Sequence, residues 1–595
     1  DDRGVYRSRL LLDEDLAARS ATLGHIYNEV GSTQLGLQEG WQSVNRDPSN
    51  YSAHRLLADS YAALPNMELA RVSELLQAQL LQPTNITPVQ PQMAETKLLM
   101  PSALSTSSLY EFTPLFVQNQ PTLWASALGG SQSTWGDELI VSGLTDRAAY
   151  SLGQFHYQSN GYRENNDLKN DIYDLFGQVA VTPYFNLQAE YRHRETTNGD
   201  LQSSFNDIFS RSKHRNINQD IARIGANYSL SPQTNLIASF IYTDRNDNVS
   251  FSNVSAGLVQ NIYQTEAQLL YKADRFNLIT GLGIYSADFN FYGVQQPSTT
   301  GNQDIGYGYA TLKLPGDVIG TVGLSYQSND DANADLHELN PKLGIQWALN
   351  EQISLRAAAF KVTNSILVTS QTIEPTQVAG FNQFFDNITS TVSKNYGVAL
   401  DVRFTNQLFG GLEAFRRDLD VPFGTLDVPE FYEVEQQQID RYGAYLYWMP
   451  SHRWAVKAAG LYERFEMKEG LLGLMFSFPS MPSQLRTISL PLDIQYFDPS
   501  GFFASTGIIY VNQKVQFLDQ QSLALLPTQS ENFTLVNAGL GYRFPKRWGI
   551  MALQANNLLD KKFHYQDNGF LSTDQSVNPL YIPERTLFWR LVVNF

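Results

Sequence analysis

The feature that most limits what this chain can fold into is a two-residue alternation that returns over most of its length. In Phe185-Asn186-Leu187-Gln188-Ala189-Glu190-Tyr191-Arg192 the odd positions are apolar or aromatic and the even ones polar or charged. Successive side chains of a strand point to opposite faces, so the segment is a strand with one apolar and one wet face. Ala222, Ile224, Ala226 and Tyr228 alternate with Arg223, Gly225, Asn227 and Ser229, and Leu236, Ala238, Phe240 and Tyr242 repeat the pattern. Turn-forming pairs punctuate it at Thr145-Asp146, Thr182-Pro183, Ser231-Pro232, Ala273-Asp274, Pro315-Gly316, Asn350-Glu351, Thr405-Asn406, Pro450-Ser451, Asp498-Pro499 and Pro545-Lys546. Ten such turns imply ten hairpins and 20 strands; one strand before them, near Leu123–Gly130, and one after, Thr586–Phe595, bring the expectation to about 22.

Composition separates two homes for such a sheet. Of the 595 residues, 17% are charged and 12% aromatic, so the chain folds rather than staying disordered. Lys plus Arg is 42 against 59 Asp plus Glu, a net −17, which argues against nucleic acid as a partner. Cys is absent, removing disulfides, thiol nucleophiles and Cys-based metal sites. No apolar run reaches the roughly 18 residues of a membrane-spanning helix. A soluble sandwich has no reason to sort its connections by length. Here tight turns alternate with long polar segments, such as Ser159–Asn170, Glu195–Lys213 and Ser365–Thr389. That directional pattern predicts an all-β transmembrane barrel of about 22 antiparallel strands with its apolar face in outer-membrane lipid. Tyr184, Trp454, Phe502 and Trp548 stand near strand ends, where interfacial aromatic girdles form. The last strand, with Leu587, Trp589, Leu591, Val593 and Phe595 on one face, resembles the assembly signal of bacterial outer-membrane barrels. That resemblance implies recognition by the barrel-assembly machinery through Trp589, Leu591, Val593 and Phe595.

Residues 1–88 follow another period. Glu74-Leu75-Leu76-Gln77-Ala78-Gln79-Leu80-Leu81 is built of helix formers. Leu23, Gly24, Tyr27 and Gly36 recur about 34 residues later as Leu57, Ala58, Tyr61 and Ala70, and Pro48-Ser49-Asn50 recurs as Pro83-Thr84-Asn85. This pattern resembles about two tetratricopeptide repeats, although Gly40 stands at a site where that family has a large apolar residue. The resemblance implies a small all-α periplasmic segment able to dock a protein partner. Residues 89–120, rich in Pro and Gln, read as a linker, and 121–595 as the barrel.

A lumen enclosed by about 22 strands is too wide for side chains to fill, so something must plug it. Asn556-Asn557-Leu558-Leu559-Asp560-Lys561-Lys562-Phe563 and Pro583-Glu584-Arg585-Thr586 resemble the last two strands of TonB-dependent receptors. That family carries a strand-rich plug, which residues 1–120 do not suggest. Helical repeats ahead of a barrel resemble exopolysaccharide-export outer-membrane proteins instead. The expectation is therefore a transport channel gated or plugged by its helical segment at the periplasmic mouth, with export of polymer or protein favoured. The alternatives are a TonB-dependent-type uptake receptor with an altered plug, and a sealed barrel anchoring a surface or periplasmic assembly.

Particular residues stand out. Glu190, Arg192, Arg194 and Arg223 fall on polar strand faces and are expected to line the lumen. Leu471, Leu474, Met475, Phe476 and Phe478, with Phe381, Phe384 and Phe385, make apolar stretches in extracellular connections, where exposed patches mark contact surfaces. His-Glu-x-x-His and Gly-x-Ser-x-Gly are absent and the eight His are scattered. No catalytic, cofactor or metal residues are expected.

Overall fold

The computed structural model describes residues 12–84, 121–252, 254–293, 298–331, 334–365, 371–424, 432–469, 482–518, 525–568 and 578–594. Four helices come first: α1 (Leu12–Glu29), α2 (Thr33–Arg46), α3 (Tyr51–Tyr61) and α4 (Glu68–Leu81). Asn50 starts α3 by accepting hydrogen bonds from the Ser52 and Ala53 amides, satisfying donors that the first turn leaves free. Antiparallel packing of α1 on α2 and α3 on α4 is close because glycine sits at the crossings: a Cβ on Gly40 would stand 2.6 Å from Leu57 Cδ2.

Strands fill the rest: β1 (Pro121–Gly130), β2 (Thr134–Leu144), β3 (Ala148–Ser159), β4 (Leu168–Thr182), β5 (Phe185–Asn198), β6 (Lys213–Ser231), β7 (Thr234–Phe251), β8 (Val254–Lys272), β9 (Phe276–Tyr292), β10 (Thr299–Leu314), β11 (Val318–Asp331), β12 (Ala334–Ala348) and β13 (Ile353–Thr363). Two short strands, β14 (Gln377–Val378) and β15 (Phe381–Asn382), pair only with each other. Then follow β16 (Val392–Arg403), β17 (Leu408–Gly424), β18 (Tyr432–Ser451), β19 (Trp454–Glu469), β20 (Pro482–Phe497), β21 (Phe502–Phe517), β22 (Gln529–Arg543), β23 (Gly549–Asn556) and β24 (Thr586–Asn594). Apart from β14 and β15 they form one 22-stranded antiparallel sheet. It closes where β1 pairs with β24, from Trp124 opposite Asn594 to Gly130 opposite Phe588. Closure removes both sheet edges, the condition for surviving in hydrocarbon. The expected all-β barrel and its strand number stand, and no described helix is long and apolar enough to cross a membrane.

All ten expected turns join strands, in connections of two to five residues. Outward faces show where the lipid ends. On β5 to β8 they change from apolar to polar at one level: Tyr191 to His193, Ala222 to Asp220, Tyr242 to Asp244, Tyr263 to Asn261, and these positions are register partners. Tyr184, Trp454, Phe502 and Trp548 lie exposed beside the tight turns, at the other boundary. Above the upper boundary the strands carry on. Lys213–Asp220 and Asp244–Phe251 are paired strand, and β7 meets β8 through a two-residue connection. The Glu195–Lys213 segment, read from sequence as loop, is therefore partly strand at both ends. Outside lipid both faces of a strand are wet, so the alternation that marks it disappears.

Candidate functional site

The interior of the barrel is occupied. Gln38 of α2 donates to Asp401 Oδ1 at 2.7 Å and to the Tyr445 hydroxyl at 2.8 Å. At the lower end Asn45 donates to Gln346 Oε1 at 2.9 Å, Asn277 donates to the Asn45 carbonyl at 2.7 Å, and Lys272 lies 3.3 Å from Asp47. Lys272, Asn277 and Gln346 stand beside tight turns, so the α2–α3 corner rests at that rim. The C-terminal end of α4 reaches the other wall. Gln188 donates to the Gln79 carbonyl at 2.9 Å, and Gln82 to Gln178 Oε1 at 3.0 Å. Together the helices touch inward residues on strands from β4 to β18. They lie within the wall rather than at its mouth.

Most of this interface is polar, but one patch is not. Leu76, Leu80 and Leu81 of α4 pack against Ile237, Ile241 and Leu270, which point inward from β7 and β8. An apolar inward face at those positions was the available signal that something packs inside, because a water-filled lumen has no use for it.

The four lumen residues of the sequence reading belong to this wall. Arg223 is buried; its Nε donates to Glu190 Oε2 at 2.9 Å, its Nη1 to Gln188 Oε1 at 3.0 Å and its Nη2 to Gln79 Oε1 at 2.9 Å. The Glu190–Arg223 pair thus ties β5 and β6 to α4. Arg192 lies across from Asp174 on the inward face, and Arg194 donates to Thr196 Oγ1 at 3.0 Å.

Phe381, Phe384 and Phe385 are placed inside the barrel, not on its surface. The connection from β13 to β16, residues 364–391, leaves the end opposite the tight turns and folds down into the lumen. Phe381 stacks on Phe415 at 5.7 Å, Phe385 lies 6.1 Å from the same ring, and Arg417 sits 3.6 Å over Phe385. Leu37, Trp41, Leu57 and Tyr61 of the helices share this cluster. Gly380, at φ +82°, lets the chain turn flat beneath Trp41, whose Cε3 would be 2.8 Å from an added Cβ. Arg356 anchors the turn from below: it donates to the Gly380 carbonyl at 3.1 Å, to Asp401 at 2.9 Å and to Glu413 at 3.2 Å, and lies 4.8 Å from the Trp41 ring. None of Gln38, Gln79, Arg356 or Asp401 stood out in the sequence, because each pairs with a residue remote in the chain.

A second contact spans the outer mouth. The β5–β6 and β23–β24 connections meet where the Ser203 amide donates to Asp567 Oδ2 at 2.6 Å and the Asp567 amide to the Ser203 carbonyl at 3.2 Å. Phe205 then seats among Phe465, Leu485, Val515 and Phe517 of β19 to β21. Leu471, Leu474, Met475, Phe476 and Phe478 lie outside the described residues, as does Phe595. Trp589 faces outward toward lipid, with Leu591 and Val593 at the same parity on β24. Among the described residues no cluster of His, Asp or Glu could hold a metal.

A lumen-filled 22-stranded barrel has known counterparts. Residues 124–558 match the family model described as TonB dependent receptor-like, beta-barrel. The chain belongs to that family. Among solved structures, the FrpB iron transporter from Neisseria meningitidis (F3-3 variant) is similar at 11% identity and TM-score 0.61, over 80% of this chain and 82% of that one. The ferric-catecholate import receptor Fiu from E. coli K12 shares 14% identity at TM-score 0.57, over 80% and 82%. The copper transporter OprC shares 12% at TM-score 0.59, over 80% of each. No curated protein matches. These findings overturn the expectation of polymer or protein export, since the barrel belongs to a receptor family and no exporter resemblance accompanies it. They place this TonB-dependent receptor-like barrel in the bacterial outer membrane as a transporter-type protein, not an enzyme.

Proposed function

We propose that the chain is an outer-membrane uptake receptor of the TonB-dependent kind, drawing a metal ion or metal chelate inward past a plug made of its own helices. Family membership of the barrel supports the direction. The printed names of similar structures, an iron transporter, a ferric-catecholate import receptor and a copper transporter, support the cargo class. The observation that carries the reading is the seat of α2 to α4. Gln38, Asn45, Gln79 and Gln82 hold them to the wall by hydrogen bonds that water can replace, so the plug can shift without exposing a large apolar face. We read the helix pairs as two tetratricopeptide-like hairpins serving as that plug. Their periplasmic partner is then the energy-coupling protein that gives the family its name, and β24 is the strand offered to the barrel-assembly machinery.

The test is accumulation of labelled ferric chelates and copper by cells whose other receptors are deleted, with and without a protonophore. Uptake that depends on this chain and stops with the protonophore is expected. Equal accumulation with and without the chain for every metal species tried sinks the cargo class; chain-dependent uptake indifferent to the protonophore sinks energised import.

A further inference from the structure

Helix α4 does not cap itself. Met67 precedes it and makes no side-chain cap, yet the Glu68 and Leu69 amides are satisfied by Asp386 of the β13–β16 connection, at 3.1 and 2.9 Å. A helix N-terminus attracts a carboxylate through its free amides and its dipole. Here that carboxylate comes from a segment rooted in the outer ends of β13 and β16. The same segment grips α4 again one turn on: the Thr372 amide donates to Ser73 Oγ at 3.1 Å, and Thr376 donates to Glu74. Between these grips Asn382 Nδ2 lies 2.7 Å from Met67 Sδ. Its other side is fastened to the wall, where Glu266 accepts from the Ile373 amide at 2.6 Å and from Thr372 Oγ1 at 2.8 Å, and Tyr309 donates to Glu374 at 2.5 Å.

We infer that Thr372–Asp386 is a strap that holds the helical plug in its seat from the outer side. Strap and α4 share buried bonds at three points, so α4 cannot leave while the strap stays down, and lifting the strap uncaps α4. An event at the outer ends of β13 and β16 therefore reaches the plug through one continuous piece of chain. The inference rests on the lumen being the passage, but not on the cargo proposed above.

Single-channel conductance of the full chain in planar bilayers, in salt alone, tests it. Cys is absent from the sequence, so Ser73→Cys with Thr372→Cys gives one defined cross-link. The lock should suppress openings relative to the parent, and a reductant should restore them. Asp386→Ala should raise open probability by about tenfold, the order expected from loss of one helix cap, with Asp386→Asn in between. Should Asp386→Ala fail to fold, the oxidised and reduced forms of the cysteine pair decide alone. Identical conductance in the parent, the locked form and the Asp386 variants overturns the strap. Altered conductance with no metal uptake keeps the strap and overturns the cargo assignment.

Discussion

At the residue scale, the interior is held by charges that have lost their water. Arg223 is fully enclosed and spends its donors on Glu190, Gln188 and Gln79. Arg223→Ala should destabilise the folded barrel by about 3 kcal/mol, because Glu190 is left buried without its counter-ion; denaturant titration in detergent reads this out. Two groups give the plug a pH response. Burial pushes the Asp386 carboxyl up to about 6, even though the α4 amides favour its anion. Being raised, it binds more protons folded than unfolded, so the strap's hold is firmest in acid and is lost as pH climbs to about 6. Burial alone would lower the His54 pKa, but Glu74 at 2.6 Å and the Pro48 carbonyl at 2.9 Å raise it. Its share is complete below the ordinary histidine value and lost as pH rises through the raised one. Both act in one direction. Protease cleavage within residues 12–84 of the intact protein should be slower at pH 5 than at pH 8; faster cleavage in acid would contradict this sign.

At the element scale, legibility in the sequence followed the solvent. Where a strand crosses lipid, as in Leu187, Ala189 and Tyr191, its two faces differ and the pattern is plain. Where it stands above lipid, as in Asp244–Phe251, both faces are polar and the same strand reads as loop. Inside, the signal was present in another form: Ile237 and Ile241 make the inward face of β7 apolar beside outward Leu236, Phe240 and Tyr242. The strap was read as an apolar surface loop because sequence order does not show which way a connection folds. Glycine gives a test of the helix contacts. Gly40→Leu would force a side chain into Leu57, costing about 1–3 kcal/mol. The expected result is a barrel that still migrates as folded on gels while its helical part becomes protease-sensitive; unchanged resistance would show that α2 and α3 can part without loss.

At the scale of the whole molecule, a wide barrel demands a filler, and this chain supplies one from helices rather than strands. That substitution misdirected the sequence reading toward export, since the filler resembles a docking module while the barrel resembles a receptor. The wall itself is uneven. β24 spans nine residues, with Leu587, Trp589, Leu591 and Val593 on its lipid face, whereas β6 and β8 run for 19. Cysteine at Asp244 should react with a membrane-impermeant maleimide on intact cells, while cysteine at Phe240, two pleats lower on the same face, should not; equal labelling would refute the boundary drawn between them.

That unevenness cuts the top of the vessel on a slant. One flank rises about 20 Å clear of the headgroups, by eight residues of tilted strand, while the seam beside β24 stops almost flush with them. A bulky visitor from the medium is steered over the low lip, where Asn557–Arg585 is the first protein it meets, and the high flank shields the far side like the back of a chair.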